Sequence, residues 1–163
     1  MHTLHVPAGA SKLEIYAEVL ATAAAVVEGE PDLVANLANI TAVLKQALPG
    51  VSWAGFYRQV GEDLVLGPFQ GKLACTRIGP GKGVCGAAAD RRAPVVVPDV
   101  DAFPGHIACD AASRSEVVVP ILRGDRVLGV IDLDSDRPGN FDDIDAEQLV
   151  RLAALVEGLA WPA

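Results

Sequence analysis

The sequence predicts an α+β fold: a central, mainly antiparallel sheet of about six strands, with helices before and after it. Three observations predict this class. Helix-forming segments fill the first fifty residues, short apolar strands follow, and an amphipathic segment ends the chain. Hairpin-like turns connect several of the strands, which favours an antiparallel sheet with its helices on one face. We expect residues 1–163 to form one domain, with residues 1–10 as an N-terminal arm.

The first two helices are marked by their ends. Ser11 and Glu14 match a capping box, in which each side chain accepts a hydrogen bond from the other residue's backbone N–H. The alanine-rich segment that follows favours helix as far as Gly29. Pro31 suits the first turn of a second helix, and the Pro-Gly pair at residues 49–50 ends it.

Apolar segments of strand length begin after these helices. Residues 51–57 favour a strand, and the turn residues 61–63 separate them from a returning strand at residues 64–70. Pro68 in the returning strand indicates an edge or a bulge, because proline cannot donate a ladder hydrogen bond. The remaining strands are predicted at residues 73–78, 94–98, 116–122 and 127–133.

Two irregular stretches interrupt this series. A glycine-rich loop at residues 79–83 leads into a short helix that reaches Ala89. Residues 99–114 exceed the length of an ordinary connection, and long loops inside compact domains are usually functional or disordered. After the last strand, Asp142 or Asp143 caps the final helix.

Composition limits the classes of partner. The chain has 163 residues, of which 51% are hydrophobic, and a net charge of −8. Nucleic acids and anionic membranes attract positively charged surfaces, so we expect neither as a partner. The longest apolar run, residues 19–27, is too short to span a bilayer, and the first dozen residues lack the apolar core of a secretory signal. We therefore expect a cytoplasmic protein.

Three cysteines, at positions 75, 85 and 109, form no close CxxC pair and make a poor disulfide framework. In a reducing compartment, disulfides tend to be transient and catalytic. Cys109 lies on the long loop just before an apolar strand, where loops commonly present functional groups. The residues alone leave two interpretations of Cys109 open: a reactive thiol, or a small buried hydrophobic side chain.

Three carboxylates are predicted to lie on one face of two neighbouring strands. Asp132 and Asp134 are two residues apart on a strand, so their side chains share a face, and Glu116 begins the adjacent strand. Mutual repulsion would keep one of them protonated near neutral pH, so the cluster could bind an ammonium group and act as a general acid. The alternative is that Asp134 caps a turn.

Trp53 and Tyr57 also share a face of the first strand. Paired aromatic residues of this kind form either core or the wall of a ligand pocket.

Cofactor and metal motifs are weak. Residues 81–86 match G-x-G-x-x-G, but the helix after them is too short for a dinucleotide-binding unit. Cys75, Cys85, Cys109 and His106 could form a Cys₃His zinc site, although their spacing is unlike the paired ligands of structural zinc sites. We predict neither a cofactor nor a metal.

Five segments together resemble the free methionine-(R)-sulfoxide reductases, stand-alone enzymes built on a GAF domain. The segments are WAGFY at 53–57, LGPFQGKLAC at 66–75, GVCG at 83–86, GHIACDAAS at 105–113 and GVIDLDS at 129–135. The resemblance implies a GAF fold, a homodimer and reduction of the free amino acid rather than of peptide-bound residues, in the response to oxidative stress. It covers all three cysteines, whereas most GAF domains are ligand-binding sensors without them.

The same resemblance implies a role for each candidate residue. Cys109 attacks the sulfoxide and becomes a sulfenic acid, which a second cysteine converts to a disulfide that thioredoxin reduces. Cys75 is the favoured resolving cysteine, with Cys85 as the alternative or a relay. The residues that correspond to the family's substrate site are Trp53, Tyr57, Glu116, Asp132 and Asp134. The remaining alternative is a GAF sensor that binds a small molecule without chemistry.

Overall fold

The computed structural model describes residues 3–107, 109 and 111–163. Met1 and His2 of the predicted arm lie outside the described residues, as do Ala108 and Asp110 of the cysteine segment.

The described residues form six β-strands and four α-helices. In chain order the elements are α1 Lys12–Val27, α2 Leu33–Ala47, β1 Val51–Val60, β2 Asp63–Gln70, β3 Arg77–Ile78, α3 Gly83–Arg91, β4 Val95–Val97, β5 Ser115–Arg123, β6 Arg126–Ser135 and α4 Asp143–Glu157. A single 3₁₀ turn, Val100–Ala102, interrupts the long segment between β4 and β5.

The strands of the described chain form one sheet in the order β3-β2-β1-β6-β5-β4, and every neighbouring pair is antiparallel. The predicted α+β class with an antiparallel sheet is therefore confirmed. β1 and β6 lie at the centre of the sheet, and each is ten residues long. Gly61 and Gly124, both at positive φ, lie in the tight turns of the β1–β2 and β5–β6 hairpins. None of the described helices is long and apolar enough to cross a membrane.

The helix ends follow the capping signals. The predicted box at Ser11 and Glu14 forms, with Ser11 N–H donating to Glu14 Oε2 over 2.7 Å. Asp32 caps α2 through the backbone N–H of Ala35. Asp142 is the cap of α4, and Asp145 completes a second capping box there. Each carboxylate also lies near the positive end of its helix dipole, which stabilises the terminus.

One face of the sheet carries the main hydrophobic core. Side chains of α1, α2 and α4 pack there against Phe56, Val117, Ile131 and other inward residues of the central strands. Leu4, Val6 and Ala10 of the predicted arm are partly buried against the same layer. The opposite face packs against α3 and the irregular segments, and it carries the candidate site.

The predicted third strand is shorter in the structure. β3 is confined to Arg77–Ile78, whereas the sequence predicted residues 73–78. The chain before Arg77 lies outside β3, and Cys75 in this stretch is bonded to Cys109, far along the sequence. The predicted irregularity at Pro68 is confirmed, since the register of β1 and β2 shifts between Gly55 and Tyr57, opposite Pro68.

Candidate active site

A cavity opens on the sheet face opposite α1, α2 and α4. Its floor comes from β1, β5 and β6, and its walls come from α3 and the segments before β3 and β5. The lining includes seven of the eight candidate residues: Trp53, Tyr57, Cys85, Cys109, Glu116, Asp132 and Asp134. The eighth, Cys75, is bonded to Cys109 at the same cavity. The structure therefore brings all eight together.

Cys75 and Cys109 form a disulfide with a Cα–Cα distance of 5.3 Å. Both residues are half-buried. The phenol O–H of Tyr57 donates to the backbone carbonyl of Cys75 over 3.0 Å, which ties the end of this segment to β1. Cys85 remains a free and buried thiol. The pair that the sequence resemblance assigned as nucleophile and favoured resolving cysteine is thus within bonding distance.

The three carboxylates lie side by side on β5 and β6. Glu116 and Asp134 are directly opposite each other in the antiparallel register, and Asp132 is one position further along the same face of β6. Glu116 and Asp132 are each only 5% exposed, and Asp134 is half-buried. Burial of carboxylates this close together is costly unless they are protonated or bind positive groups.

This environment raises the pKa of two of the carboxyl groups. Burial first, and then the charge of Asp134, raise the pKa of Glu116 well above its ordinary value. For Asp132, burial and the charges of Asp134 and Glu116 raise the pKa in the same way. At least one of these groups therefore holds a proton at a pH where an ordinary carboxyl group is ionised. The cluster can donate a proton as well as bind a cation.

Each carboxylate has a polar neighbour that comes from outside β5 and β6. The Cys85 thiol of α3 lies 3.4 Å from Asp132 Oδ2. His106 Nε2 lies 3.5 Å from Glu116 Oε2. Ser113 Oγ donates to Asp134 Oδ1 over 2.7 Å. Each of these contacts involves one oxygen of its carboxylate, and Glu116 and Asp132 also interact with each other.

Stacked aromatic rings cover the part of the floor that β1 supplies. The Trp53 ring stacks on Phe69 with ring centroids 5.3 Å apart, and on Tyr57 at 6.1 Å. Trp53 Nε1 donates to the carbonyl oxygen of Lys72 over 3.1 Å. Gly55 lies beneath the indole, where a Cβ would overlap the ring, so the stack requires glycine at that position of β1.

Sequence reasoning missed three contributors to the site. His106 entered only as a possible zinc ligand, and Ser113 and Phe69 were quoted only inside motifs. The x-x spacing of His106 before Cys109 was the one signal that placed it near the thiol. Ser113 and Phe69 carry no such signal, because their roles depend on contacts between distant strands and loops.

Three of the described residues lie close enough together to be ligands of one metal ion. Ligand atoms of Cys85, Glu116 and Asp132 lie within 4.8 Å of one another, which is the geometry a metal ion needs. All three groups have raised pKa values because they are buried among like charges. Metal binding to these three groups would displace their protons, because metal ligands must be deprotonated. In the disulfide state, Cys75 and Cys109 cannot act as thiolate ligands of the Cys₃His site considered from the sequence.

Comparison with known proteins first defines the class. The model of the GAF domain family matches residues 30–158. The fold agrees, since the solved structure of a free methionine-R-sulfoxide reductase from Neisseria meningitidis in complex with its substrate superposes with a TM-score of 0.92. That protein is 52% identical to this chain, and the match covers 96% of this chain and 94% of the other.

Two further relatives refine this class. The free methionine-R-sulfoxide reductase of Escherichia coli is 46% identical over 147 residues, which are 90% of this chain and 89% of that protein. The enzyme of the same name from Saccharomyces cerevisiae is 44% identical and covers 90% of this chain and 86% of its own length. The chain belongs to the GAF domain family and, within it, to the free methionine-(R)-sulfoxide reductases.

Proposed function

We propose that this protein reduces free methionine-(R)-sulfoxide to methionine, with Cys109 as the nucleophile. The observation that supports this most directly is the Cys75–Cys109 disulfide at the mouth of a cavity that contains three carboxyl groups. A thiol pair that can form a disulfide accounts for the two electrons that the reduction requires. The relatives named above support the substrate.

The proposed reaction begins at the sulfur of the substrate. The Cys109 thiolate attacks that sulfur while a carboxyl group protonates the sulfoxide oxygen, and methionine leaves as the oxygen passes to Cys109 as a sulfenic acid. The Cys75 thiol then attacks the sulfenic sulfur, a water molecule leaves, and the disulfide forms. Glu116, Asp132 and Asp134 remain three candidates for the proton donor.

The carboxyl groups suit this chemistry because of their raised pKa. A sulfoxide oxygen is a poor leaving group until it is protonated, and Glu116 and Asp132 retain protons at neutral pH more readily than exposed carboxyl groups. An ionised neighbour such as Asp134 can meanwhile stabilise positive charge that develops on the sulfur or on the ammonium group.

The first turn of α3 suits a free carboxylate. Gly83, Val84 and Cys85, the first residues of α3, line the cavity, and the N-cap residue Lys82 gives this turn no side-chain hydrogen bond. Helix N-termini bind anions through their free backbone N–H groups. A free amino acid carries both charges that this arrangement complements: an ammonium group for the acidic cluster and a carboxylate for the helix end. A peptide-bound methionine has neither.

Three further features belong to the proposal. A dithiol protein of the thioredoxin class reduces the disulfide by thiol–disulfide exchange. The protein works in the reducing cytoplasm, where it serves defence against oxidative stress. It forms a homodimer, which is supported by the exposed apolar side chains Leu13, Val34 and Val150 on α1, α2 and α4. Light scattering coupled to size-exclusion chromatography measures the dimer directly.

The deciding experiment is NADPH-coupled turnover with thioredoxin and thioredoxin reductase. The substrates are free methionine-(R)-sulfoxide, the (S)-epimer and a peptide that contains methionine sulfoxide. We expect turnover with the free (R)-epimer only. Turnover of the peptide would contradict the proposed specificity, and no turnover by the reduced protein would make it a ligand-binding GAF module.

A further inference from the structure

The third cysteine has no assigned role in the chemistry above. Cys85 is 3% exposed and is the third residue of α3, whose first turn faces the cavity. Its Sγ lies 3.4 Å from Asp132 Oδ2, and the Glu116 carboxyl group is a second hydrogen-bonding neighbour of Asp132. Sulfur hydrogen bonds are long, so this distance is that of an S–H group donating to a carboxylate oxygen.

The backbone around Cys85 holds it in this position. Gly83 begins α3 at a φ of +61°, and Gly86 lies so close to the preceding loop that a Cβ there would be 2.7 Å from the carbonyl carbon of Gly81. Glycine at both positions lets the loop lie directly on the first helical turn. Cys85 lies between these two glycines, and its side chain contacts Asp132 of β6.

The thiol remains in its protonated form here. Burial and the neighbouring charges of Asp132, Glu116 and Asp134 raise the pKa of Cys85 well above its ordinary value. A protonated thiol can donate one hydrogen bond, whereas a thiolate would repel the carboxylates. The second oxygen of the acceptor, Asp132 Oδ1, is buried and has no hydrogen-bond partner among the residues that the structure describes.

We propose that Cys85 is a positioning residue, whose S–H group holds Oδ2 of Asp132 and leaves Oδ1 for the substrate. This inference rests on the proposed function, and it assigns Cys85 a role other than that of a resolving cysteine. With Oδ2 occupied as an acceptor, a proton on Asp132 resides on Oδ1. That oxygen then donates to a sulfoxide oxygen when protonated, and accepts from an ammonium group when ionised.

The structure separates this role from that of a thiol relay. The favoured resolving cysteine, Cys75, is already bonded to Cys109, and both of these sulfurs belong to half-buried residues that an external reductant can approach. Cys85 is buried behind them in the wall of the cavity, and it has a thiol whose raised pKa disfavours the nucleophilic thiolate.

The kinetic test compares two substitutions of Cys85. Cys85→Ser removes the thiol but retains a hydroxyl donor, whereas Cys85→Ala removes both. We expect Cys85→Ala to lower kcat/KM for free methionine-(R)-sulfoxide about 10-fold, the effect of losing one hydrogen bond to a charged or polarised group. Cys85→Ser restores most of that loss. Ala88→Gly, which weakens α3 at a residue that does not line the cavity, controls for a merely structural effect.

A second measurement is independent of activity. In the disulfide form, Cys85 carries the only S–H group of the chain, because Cys75 and Cys109 are bonded to each other. The infrared S–H stretching band of the oxidised protein therefore reports this thiol alone. We expect a band at lower frequency than that of a thiol in water, which moves to higher frequency in Asp132→Ala.

The outcomes distinguish the inference from the proposed function. If Cys85→Ser is as impaired as Cys85→Ala in thioredoxin-coupled turnover but normal in a single turnover, Cys85 is a relay and the inference is wrong. The inference is also wrong if Cys85→Ala has wild-type rates, or if the frequency of the S–H band is unchanged in Asp132→Ala. If the wild-type protein shows the expected S–H band but no turnover, the proposed function is refuted. The contact between the Cys85 thiol and Asp132 is still supported in that case.

Discussion

The two faces of the sheet use the same strands for opposite purposes. On β5, Val117 and Val119 point into the helical core, while Glu116 and Val118 point toward the cavity. β6 alternates in the same way, since Leu133 separates two carboxylates. The period of two that defines a strand thus places an apolar core and an acidic site one residue apart. The core face stabilises the strands on which the acidic face depends.

Two buried aspartates, one on each side of the sheet, differ in how many hydrogen-bond partners they have. Asp145, on the helix side, is 3% exposed and accepts hydrogen bonds from Tyr16 Oη at 2.8 Å and Lys12 Nζ at 2.6 Å. Asp132, on the cavity side, is 5% exposed and has one oxygen without a partner among the described residues. A fully partnered carboxylate serves stability, whereas a partly satisfied one is available to a ligand.

The largest expected effect is on the cavity side. Cys109→Ser replaces the proposed nucleophile, so we expect thioredoxin-coupled turnover to fall by about 10³-fold or more, as for other nucleophile substitutions. Under reducing conditions the midpoint of urea unfolding should remain that of the wild type, because Cys109 is half-buried and contributes little to the core. Appreciable turnover in this variant would show that another thiol is the nucleophile.

On the helix side, Asp145→Asn should mainly affect stability. The amide replaces an oxygen that accepts from both Lys12 Nζ and the backbone N–H of Asp142, so two donors lose their acceptor. Breaking a buried charge pair from one side costs about 3 kcal/mol, which urea unfolding measures. The kcat/KM of the folded protein should not change. An equal loss of activity would mean that the two faces are coupled.

Val117 and Val118 offer a matched pair for the same comparison. Both are fully buried, they are neighbours on β5, and they point to opposite faces. Val117→Ala and Val118→Ala should each lower the free energy of unfolding by about 2 kcal/mol. Only Val118→Ala should also change kcat/KM, because residue 118 is the cross-strand partner of Asp132. If both variants or neither lost activity, the separation of the faces would be refuted.

Sequence patterns predicted the features that depend on nearby residues. The capping box at Ser11, the cap of α4 and the hairpin turn at Gly61 are local signals, and each formed as expected. The shared face of Asp132 and Asp134 followed from strand periodicity alone. These predictions succeeded because one element, without its neighbours, determines each feature.

The remaining features depend on contacts between distant segments. Residues 73–76 lie outside β3, and Cys75 among them is bonded to a cysteine 34 positions away. The contact of Cys85 with Asp132 spans 47 positions, and that of Ser113 with Asp134 spans 21. Spacing in the sequence carries no signal for such pairs. The family resemblance located the site residues, but the donors that orient the carboxylates became visible only in the three-dimensional arrangement.

The smallest effect expected, and the one of opposite sign, is that of Asp132→Asn. The pKa of Asp132 is raised in the folded protein, so the folded state binds a proton more tightly than the unfolded chain, and stability falls as the pH rises from the unfolded value of about 4 through the folded value. An amide has no such dependence. We therefore expect the free energy of unfolding of the variant to match that of the wild type below about pH 4 and to exceed it at neutral pH by about 1–2 kcal/mol, a usual gain when a strained site is relieved.

Urea unfolding across this pH range measures the difference, and catalytic activity should fall in the same variant. A constant difference at every pH, or a loss of stability at neutral pH, would show that Asp132 is as well partnered as Asp145 and that the two faces do not differ in this respect.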